Sequence, residues 1–588
     1  MAPIISDKFR IFNAKQFLES LSEGSTDSSS DRSKMYFFLG RPERWYSYLE
    51  IYSQSNTSFE VNETVYIAGV TPGLQNAVFK AKVAAAYPNS LLLYNIGPTV
   101  NALPVNGSTL IGNTSGATCK TGVYRFATDE IPPVPFDNQE DKYTVYDDMI
   151  AMKRITSAYG RPVIRRYDYD PIVNPIFDIW RPDYSVKNPS ATGATALKDA
   201  KYFCKNRHYE VFICLRNGNG ANVTYEPKTS AFLQQGEGTY NSTTGVYTEP
   251  NGNYSWKYLY TIPTDDVIRF LSTDFMPICT YNGPTVVDGA ISTVLIRDTG
   301  SGWPQSSIFY APIRGDGSGG KVKITTNGSG GISAVEVTSA GSDYSYASVI
   351  VDPAYIYTAN DLSTLATGVT NAQGDIDVII PPQGGHGYDL INELNSKRVM
   401  LNVRLTYAEG QGDFPIDNDF RRIGIVADPL IYQSSSALLA DTAQCLYAVK
   451  LTNVSGDFVQ DETIQQTVTG GTAFGTVVSW TLDENSTTSG VLKYFQSSDY
   501  HRDSSGVVRR FASNAANAVS APVELGGSGI SGTVDITFDT DVLGMDFNDG
   551  IARPEVQPRS GEILYLENRR TISRAPDQIE DIKLVIEF

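Results

Sequence analysis

Gly561-Glu562-Ile563-Leu564-Tyr565-Leu566-Glu567-Asn568, then Pro576-Asp577, then Ile582-Lys583-Leu584-Val585-Ile586-Glu587-Phe588: this stretch decides the fold. Its first part is a short apolar run between polar ends, long enough for a strand buried on both faces. Pro576-Asp577 marks a turn. Beyond it Ile582, Leu584, Ile586 and Phe588 alternate with Lys583, Val585 and Glu587, the period-two pattern of a strand with one face on a core. The two runs read as a core hairpin. With Phe588 pointing inward, the pattern predicts a sheet completed by its last strand.

The rest of the chain fits a β protein. Its 588 residues exceed one hydrophobic core, and about three to five domains are expected. Tyr (35) and Phe (25), with Val, Thr and Ile between regular Gly, Asn, Asp and Pro, favour strands over helices. The net charge of −18 argues against nucleic acid, which needs clustered cations; the clusters here are short, such as Arg165-Arg166, Arg421-Arg422 and Arg569-Arg570. Protein partners suit that acidity better. Cys119, Cys204, Cys214, Cys279 and Cys445 show neither CxxC spacing nor a disulfide framework and read as buried thiols of a reducing cytoplasm. Asp7, Lys8 and Arg10 interrupt the start, so no signal peptide is expected, and no run reaches the ~18 apolar residues of a membrane span.

Residues 12–24 read as a helix. Asn13 is the expected N-cap, Gln16 the capping-box partner and Phe12 with Phe17 the staple, while Phe17, Leu18 and Leu21 form the apolar stripe and Gly24 the end. Ser25–Ser33 is a loop, Met35–Leu39 an apolar strand, Asp147–Ile155 a helix and Tyr209–Leu215 a strand. SDKFR with the helix and YFFLGRPERW, VIRRYDY (Val163–Tyr169), the Trp-x-Tyr-Leu-aromatic-x-Ile-Pro pattern within Tyr254–Pro263, Phe420–Leu430 and the C-terminal GEILYLENRRTISRAPDQIEDIKLVIEF follow one another in a recognisable order. Together they resemble the baseplate wedge subunit of T-even-type contractile-tailed phages, the gene-eight product family. The likeness covers a little under half of the chain.

The resemblance implies a mainly β fold: a multi-layer β-sandwich core with short helices in loops, here carrying three inserted small β domains. The core is expected at 1–50, 136–280, 386–435 and 551–588, and the insertions at 51–135, 281–385 and 436–550. The first and third insertions look like copies. Phe59-Glu60-Val61-Asn62-Glu63-Thr64-Val65 aligns with Phe458-Val459-Gln460-Asp461-Glu462-Thr463-Ile464, Phe79 and Val83 with Phe474 and Val478, and Leu92-Leu93-Tyr94 with Leu492-Lys493-Tyr494. Their short strands and polar turns suit a small barrel or sandwich. The second holds a repeat of period 41: Ile291–Ile296 and Gly300-Ser301-Gly302-Trp303 recur as Ile332–Val337 and Gly341-Ser342-Asp343-Tyr344. Such a unit cannot bury its own apolar face and is expected to pair with its copy.

The family further implies a structural, non-enzymatic protein: a two-fold homodimer touching other wedge proteins, assembled in the host cytoplasm and resident in the virion baseplate. No cofactor or metal is expected. Interface residues are sought in the shared blocks, where Arg and aromatics are frequent hot spots: Arg165, Arg166, Trp256, Tyr258, Arg421, Arg422, Tyr565, Arg569, Arg570 and Arg574. Arg166 with Asp168, and Arg569, Arg570 and Arg574 with Glu567, are candidate ion pairs. Of the other chemistries, His386 and Asp389 in Gly384–Asp389 lack further metal ligands at a recognisable spacing and read as part of a Gly-rich turn. Gly315–Gly320 lacks the Lys and Ser/Thr of a phosphate loop. No Gly-x-Ser-x-Gly elbow occurs, and paired carboxylates for a glycosidase stay open on sequence grounds. The alternative function is a virion adhesin, with Trp303, Tyr344 and Tyr346 stacking on host sugars.

Overall fold

Met35–Gly40 is a strand with every residue buried, as a continuous run of Met, Tyr, Phe and Leu requires when both sheet faces are covered. The computed structural model that contains it describes residues 6–23, 34–40, 45–70, 73–99, 102–128, 130–135, 145–405, 420–497, 501–572 and 580–588. The helix end at Gly24, the 25–33 loop and the turn at Pro576-Asp577 lie outside them. The protein is mainly β. It divides into two compact units, one of Met1–Glu19, Tyr159–Asn402 and Asp581–Phe588, the other of Ser20–Ala158 and Val403–Glu580.

In the second unit Met35–Gly40 is the middle strand of five, in the order Thr442–Gln444, Met149–Ile155, Met35–Gly40, Phe420–Ala427, Glu562–Ile572, all antiparallel. Gly424 faces Phe38, and a Cβ there would lie 2.4 Å from the Phe38 ring and 2.5 Å from the Tyr565 carbonyl oxygen. The missing side chain is what lets the Phe38 ring cross the neighbouring strand. Two expectations change here. The expected helix at 147–155 is one helical turn at 145–148 followed by a strand, because Met149, Ile150, Ala151, Met152 and Ile155 are buried between strands on both sides. And 561–568 is not buried on both faces: it is an edge strand with Ile563 inside and Leu564 47% exposed. It forms no hairpin with the C-terminal strand. Its partner is Phe420–Ala427, whereas Glu580–Glu587 belongs to a sheet of the other unit.

Two six-stranded rings complete this unit. The first runs Ser47–Tyr52, Ser90–Gly97, Ala77–Tyr87, Thr64–Ala68, Thr109–Gly112, Thr118–Arg125 and closes on itself. The second runs Tyr447–Thr452, Gly490–Phe495, Gly471–Leu482, Thr463–Val468, Val519–Ser520, Ser531–Val534 and closes through the pairing of its first and last strands. In chain order both follow first, fourth, third, second, fifth, sixth. The registers correct the sequence alignment by one residue. Val65 faces Ala81 and Ile464 faces Gly475, so Phe79 corresponds to Ala473, not Phe474, and Val83 to Val477. Likewise Leu91 and Leu93 correspond to Leu492 and Tyr494, all four buried. A one-residue slip exchanges the two faces of a strand, so burial decides the correspondence. Phe511, 4.6 Å from Tyr494, supplies the aromatic that Ala473 does not.

The same buried carboxylate ties each ring. Glu63 accepts from the N–H of Glu60 (2.7 Å), Thr114 and Ser115 (3.1 Å each) and from the Ser115 hydroxyl. Glu462 accepts from the N–H of Val459 (2.7 Å) and Ser528 (2.8 Å). The residue before each takes a positive φ, 67° at Asn62 and 66° at Asp461, which Asn and Asp tolerate better than other side chains.

In the first unit Phe203–Lys205, Glu210–Asn217, Tyr254–Thr261, Val246–Thr248 and Thr239–Asn241 form one sheet, and Phe275–Pro277, Gly160–Arg165, Arg398–Leu405 and Glu580–Glu587 another. The last strand buries Ile582 and Leu584, while Phe588 is half-buried against Phe17 at 5.5 Å. The helix Asp7–Glu23 starts earlier than expected. Ser6, not Asn13, caps it, accepting from the Phe9 N–H, and Phe12 is 56% exposed, so the expected staple does not form. The 41-residue repeat builds a third ring: Thr293–Asp298, Ile308–Gly315 and Ser318–Thr326 from one copy, Ile332–Ser342, Ala347–Val349 and Asp375–Ile379 from the other. The copies exchange matched bonds, Ile291 N–H to the Ala340 carbonyl (3.0 Å) and Ile332 N–H to the Thr299 carbonyl (2.7 Å), positions related by the repeat.

Glu63→Ala leaves the part-buried N–H groups of Glu60, Thr114 and Ser115 without their acceptor and is expected to lower stability by about 1–2 kcal/mol, read as a lower urea midpoint. Burial raises this carboxyl's pKa, but the bonds from Glu60, Ser115 and Thr114 outweigh it and hold the net value below the usual glutamate range. The contribution is therefore full above the unfolded pKa and fades as pH falls through the folded one. The gap between wild type and variant closes in acid.

Candidate functional site

The paired strands Phe420–Ala427 and Glu562–Ile572 bring four of the sequence-derived interface residues to one sheet region. Arg422 stands opposite Asn568 and Ile425 opposite Tyr565. Arg422 pairs with Asp148, donates to the Asn568 side chain at 2.9 Å and lies 5.3 Å over the Trp45 ring. The Trp45 indole N–H donates to the Arg569 carbonyl at 2.7 Å. Glu567 takes the Arg569 guanidinium at 3.2 Å and the Tyr565 hydroxyl at 2.8 Å. Burial, and then the Glu567 charge, raise the Tyr565 phenol. Arg570 reaches Glu130 at 3.5 Å with both side chains largely exposed. The cluster therefore grades from a buried pair at Arg422–Asp148, which fixes the strands, to an open one at Arg570–Glu130, accessible to a partner. Arg574 lies outside the described residues, as does the side chain of Arg421.

In the other unit Arg166 grips Asp168 with both arms of its fork, at 3.0 Å from Nε and 2.6 Å from Nη2, and donates to the Ser272 carbonyl at 2.8 Å. Lys205 adds a third cationic contact to Asp168 at 3.1 Å. Burial raises the Asp168 pKa, but Arg166 and Lys205 together bring it below the usual range. This pair borders a cleft of about 590 Å³ that also holds two further ion pairs, Arg207 with Glu226 at 2.5 Å and Lys228 with Glu237 at 2.9 Å. Asp168, so held, stays ionised near neutrality and makes a poor general acid. Glu249 behaves oppositely: burial raises its pKa, and its Oε2 has no hydrogen-bond partner. Arg165 is exposed.

Trp256 and Tyr258 require correction as contact residues. Trp256 is fully buried, stacked on Tyr254 at 5.5 Å with its edge toward Phe177, and Tyr258 is buried with its hydroxyl 2.7 Å from Thr261 and Asn282. They shape the sheet from within and present nothing to a partner. The period-two pattern of Tyr254–Thr261 already placed Trp256 and Tyr258 on one face; the sequence could not say that the face is inward.

The other sequence candidates resolve individually. His386 contacts Glu393 at 2.6 Å and packs edge-on against Trp180 at 5.0 Å, while Asp389 turns away to cap the helix Leu390–Glu393 and to pair with Lys15 at 2.7 Å. The two do not share a site, and among the described residues no group of three or more His, Cys, Asp or Glu is placed to hold a metal. Gly315–Gly320 spans a strand end and a hairpin turn, where Asp316 accepts from the N–H groups of Ser345 (2.9 Å) and Tyr346 (3.2 Å); these bonds and the Ser345 hydroxyl lower its carboxyl to about 2. Trp303 and Tyr344, proposed to face sugars, are buried in the third ring, donating to the carbonyls of Gln373 (2.7 Å) and Ile313 (2.9 Å); only Tyr346 is exposed. Of the five free thiols Cys119, Cys204 and Cys214 are buried, and Cys279 and Cys445 half-buried. No helix among the described residues is long and apolar enough to cross a membrane. No family description and no curated protein matches the chain.

Sequence reasoning missed Asp148, Trp45 and Lys205, the partners that make Arg422 and Asp168 structural. Asp148 was hidden by its reading as part of a helix. Arg422→Leu takes the guanidinium away from the buried Asp148 and is expected to cost about 3 kcal/mol of stability. Arg570→Gln, at an exposed pair, should stay within about 0.5 kcal/mol of wild type. Urea unfolding of the two variants side by side checks both values.

Proposed function

We propose that this chain is a structural, non-enzymatic subunit of a contractile-tail baseplate wedge. It works as a homodimer in contact with other wedge proteins rather than nucleic acid, is assembled in the host cytoplasm and resides in the virion. One observation carries the reading: segments that resemble the wedge family, far apart in the chain, are neighbours in the fold. The strands Met35–Gly40, Phe420–Ala427 and Glu562–Ile572 are consecutive in one sheet. Gly160–Arg165 shares another with Glu580–Glu587. A likeness arising by chance in short segments has no reason to gather in this way.

In this role the protein holds its neighbours in the arrangement before contraction and lets them rearrange when the tail fires, which requires interfaces with two discrete arrangements. The exposed end of the arginine cluster, Arg570 with Glu130, suits such a contact, because an exposed ion pair costs little to exchange. The burial of Trp303 and Tyr344 leaves the sugar-binding alternative without the ring platform that motivated it.

Sedimentation of the purified chain, alone and mixed with the other tail proteins encoded beside it, tests the proposal. The expected result is a dimer that enters a larger complex. A monomer that sediments apart from every one of them would overturn the reading.

A further inference from the structure

A pocket of about 350 Å³ opens where the strand Gly160–Arg165 ends, between residues 198–203 and the segment 394–398. Four cations line it, Arg165, Lys198, Lys397 and Arg398, against one carboxylate, Asp199. In a chain of net charge −18 this is a local inversion of sign. Carboxylates of the chain beside the pocket already pair with some of these cations. Glu587 takes Arg398 at 2.9 Å from Nε and 2.8 Å from Nη2, and Lys397 at 3.2 Å. Asp7 stands 3.8 Å from both Lys397 and Lys198. Arg165 is exposed and has no carboxylate within 4 Å among the described residues.

We infer that this pocket binds a carboxylate side chain from an acidic segment of a protein partner, with Arg165 and Lys198 as its ligands. The Glu587 contacts give the precedent, since the same cluster holds a carboxylate through an Arg fork and a Lys, the geometry that arginine favours for planar oxyanions. A nucleic-acid backbone suits the site poorly. It needs cations strung along a track, whereas these line a single pocket with Asp199 in it and Asp7 and Glu587 beside it. The same carboxylates disfavour a phosphate dianion and leave room for one negative charge. The inference stands on the pocket itself, whichever assembly the chain joins.

The test uses the full chain and a fluorescein-labelled hexaglutamate peptide, followed by fluorescence anisotropy at low ionic strength. Arg165→Gln combined with Lys198→Gln is expected to weaken binding about tenfold or more, the loss of charge-assisted hydrogen bonds. Lys187→Gln, which removes one exposed charge elsewhere, should leave binding unchanged, and Arg165→Lys should recover part of it. Thermal unfolding verifies that all the variants remain folded. Equal binding by wild type and the double variant, or an equal loss from Lys187→Gln, would overturn the site. Displacement of the peptide by inorganic phosphate far more readily than by acetate at matched ionic strength would overturn the carboxylate assignment in favour of a phosphorylated ligand.

Discussion

Phe38 lying across Gly424 is the contact on which the central sheet depends. The strand Met35–Gly40 has no polar face, so it is stable only with a strand on either side and packing above and below. Gly424 lets the Phe38 ring cross Phe420–Ala427 where any Cβ would collide with it. Tyr36 makes the burial affordable at its polar end, its hydroxyl lying 2.9 Å from the carbonyls of Leu438 and Ala440. From this strand outward the order follows. Met149–Ile155 must be a strand whatever its local propensity, and Glu562–Ile572 can only be the edge.

Away from that sheet, much of the chain manages its strand edges by closing them. The rings at 47–125 and 447–534 have the same strand order and the same buried glutamate, and the ring built from the 41-residue repeat brings its two edge strands together through two matched bonds. An unpaired edge invites pairing with other chains. For the assembly subunit proposed above, hidden edges would leave contacts to exposed side chains such as Arg570 and Arg165.

Strand content, the duplication of the rings and the pairing of the repeat were legible because period-two patterns and recurring motifs are local signals. The errors arose where a local pattern has two solutions. Asp147–Ile155 looks helical until its neighbours are known, and Phe79 aligns with Phe474 by letter although burial assigns it to Ala473. The C-terminal runs were correctly read as strands and wrongly joined, because adjacency in sequence says nothing of two strands that each find a distant partner. For the site, the arginine pairs were visible and their partners were not: Asp148, Glu130 and Lys205 come from segments that only the fold places nearby.

The central sheet also sets a timetable for synthesis. Its strands are drawn from Met35 to Ile572, so its edge cannot be laid down until nearly the whole chain has left the ribosome. Contacts of such long sequence separation form slowly. The first ring and the repeat ring are each built from one continuous stretch and close as soon as that stretch emerges. During the wait Met35–Gly40, the most apolar strand of that sheet, has Met149–Ile155 on one edge and nothing yet on the other. Growing chains of this protein are thus most exposed to aggregation at their first strand, and a chaperone that holds nascent apolar segments would have its binding site there.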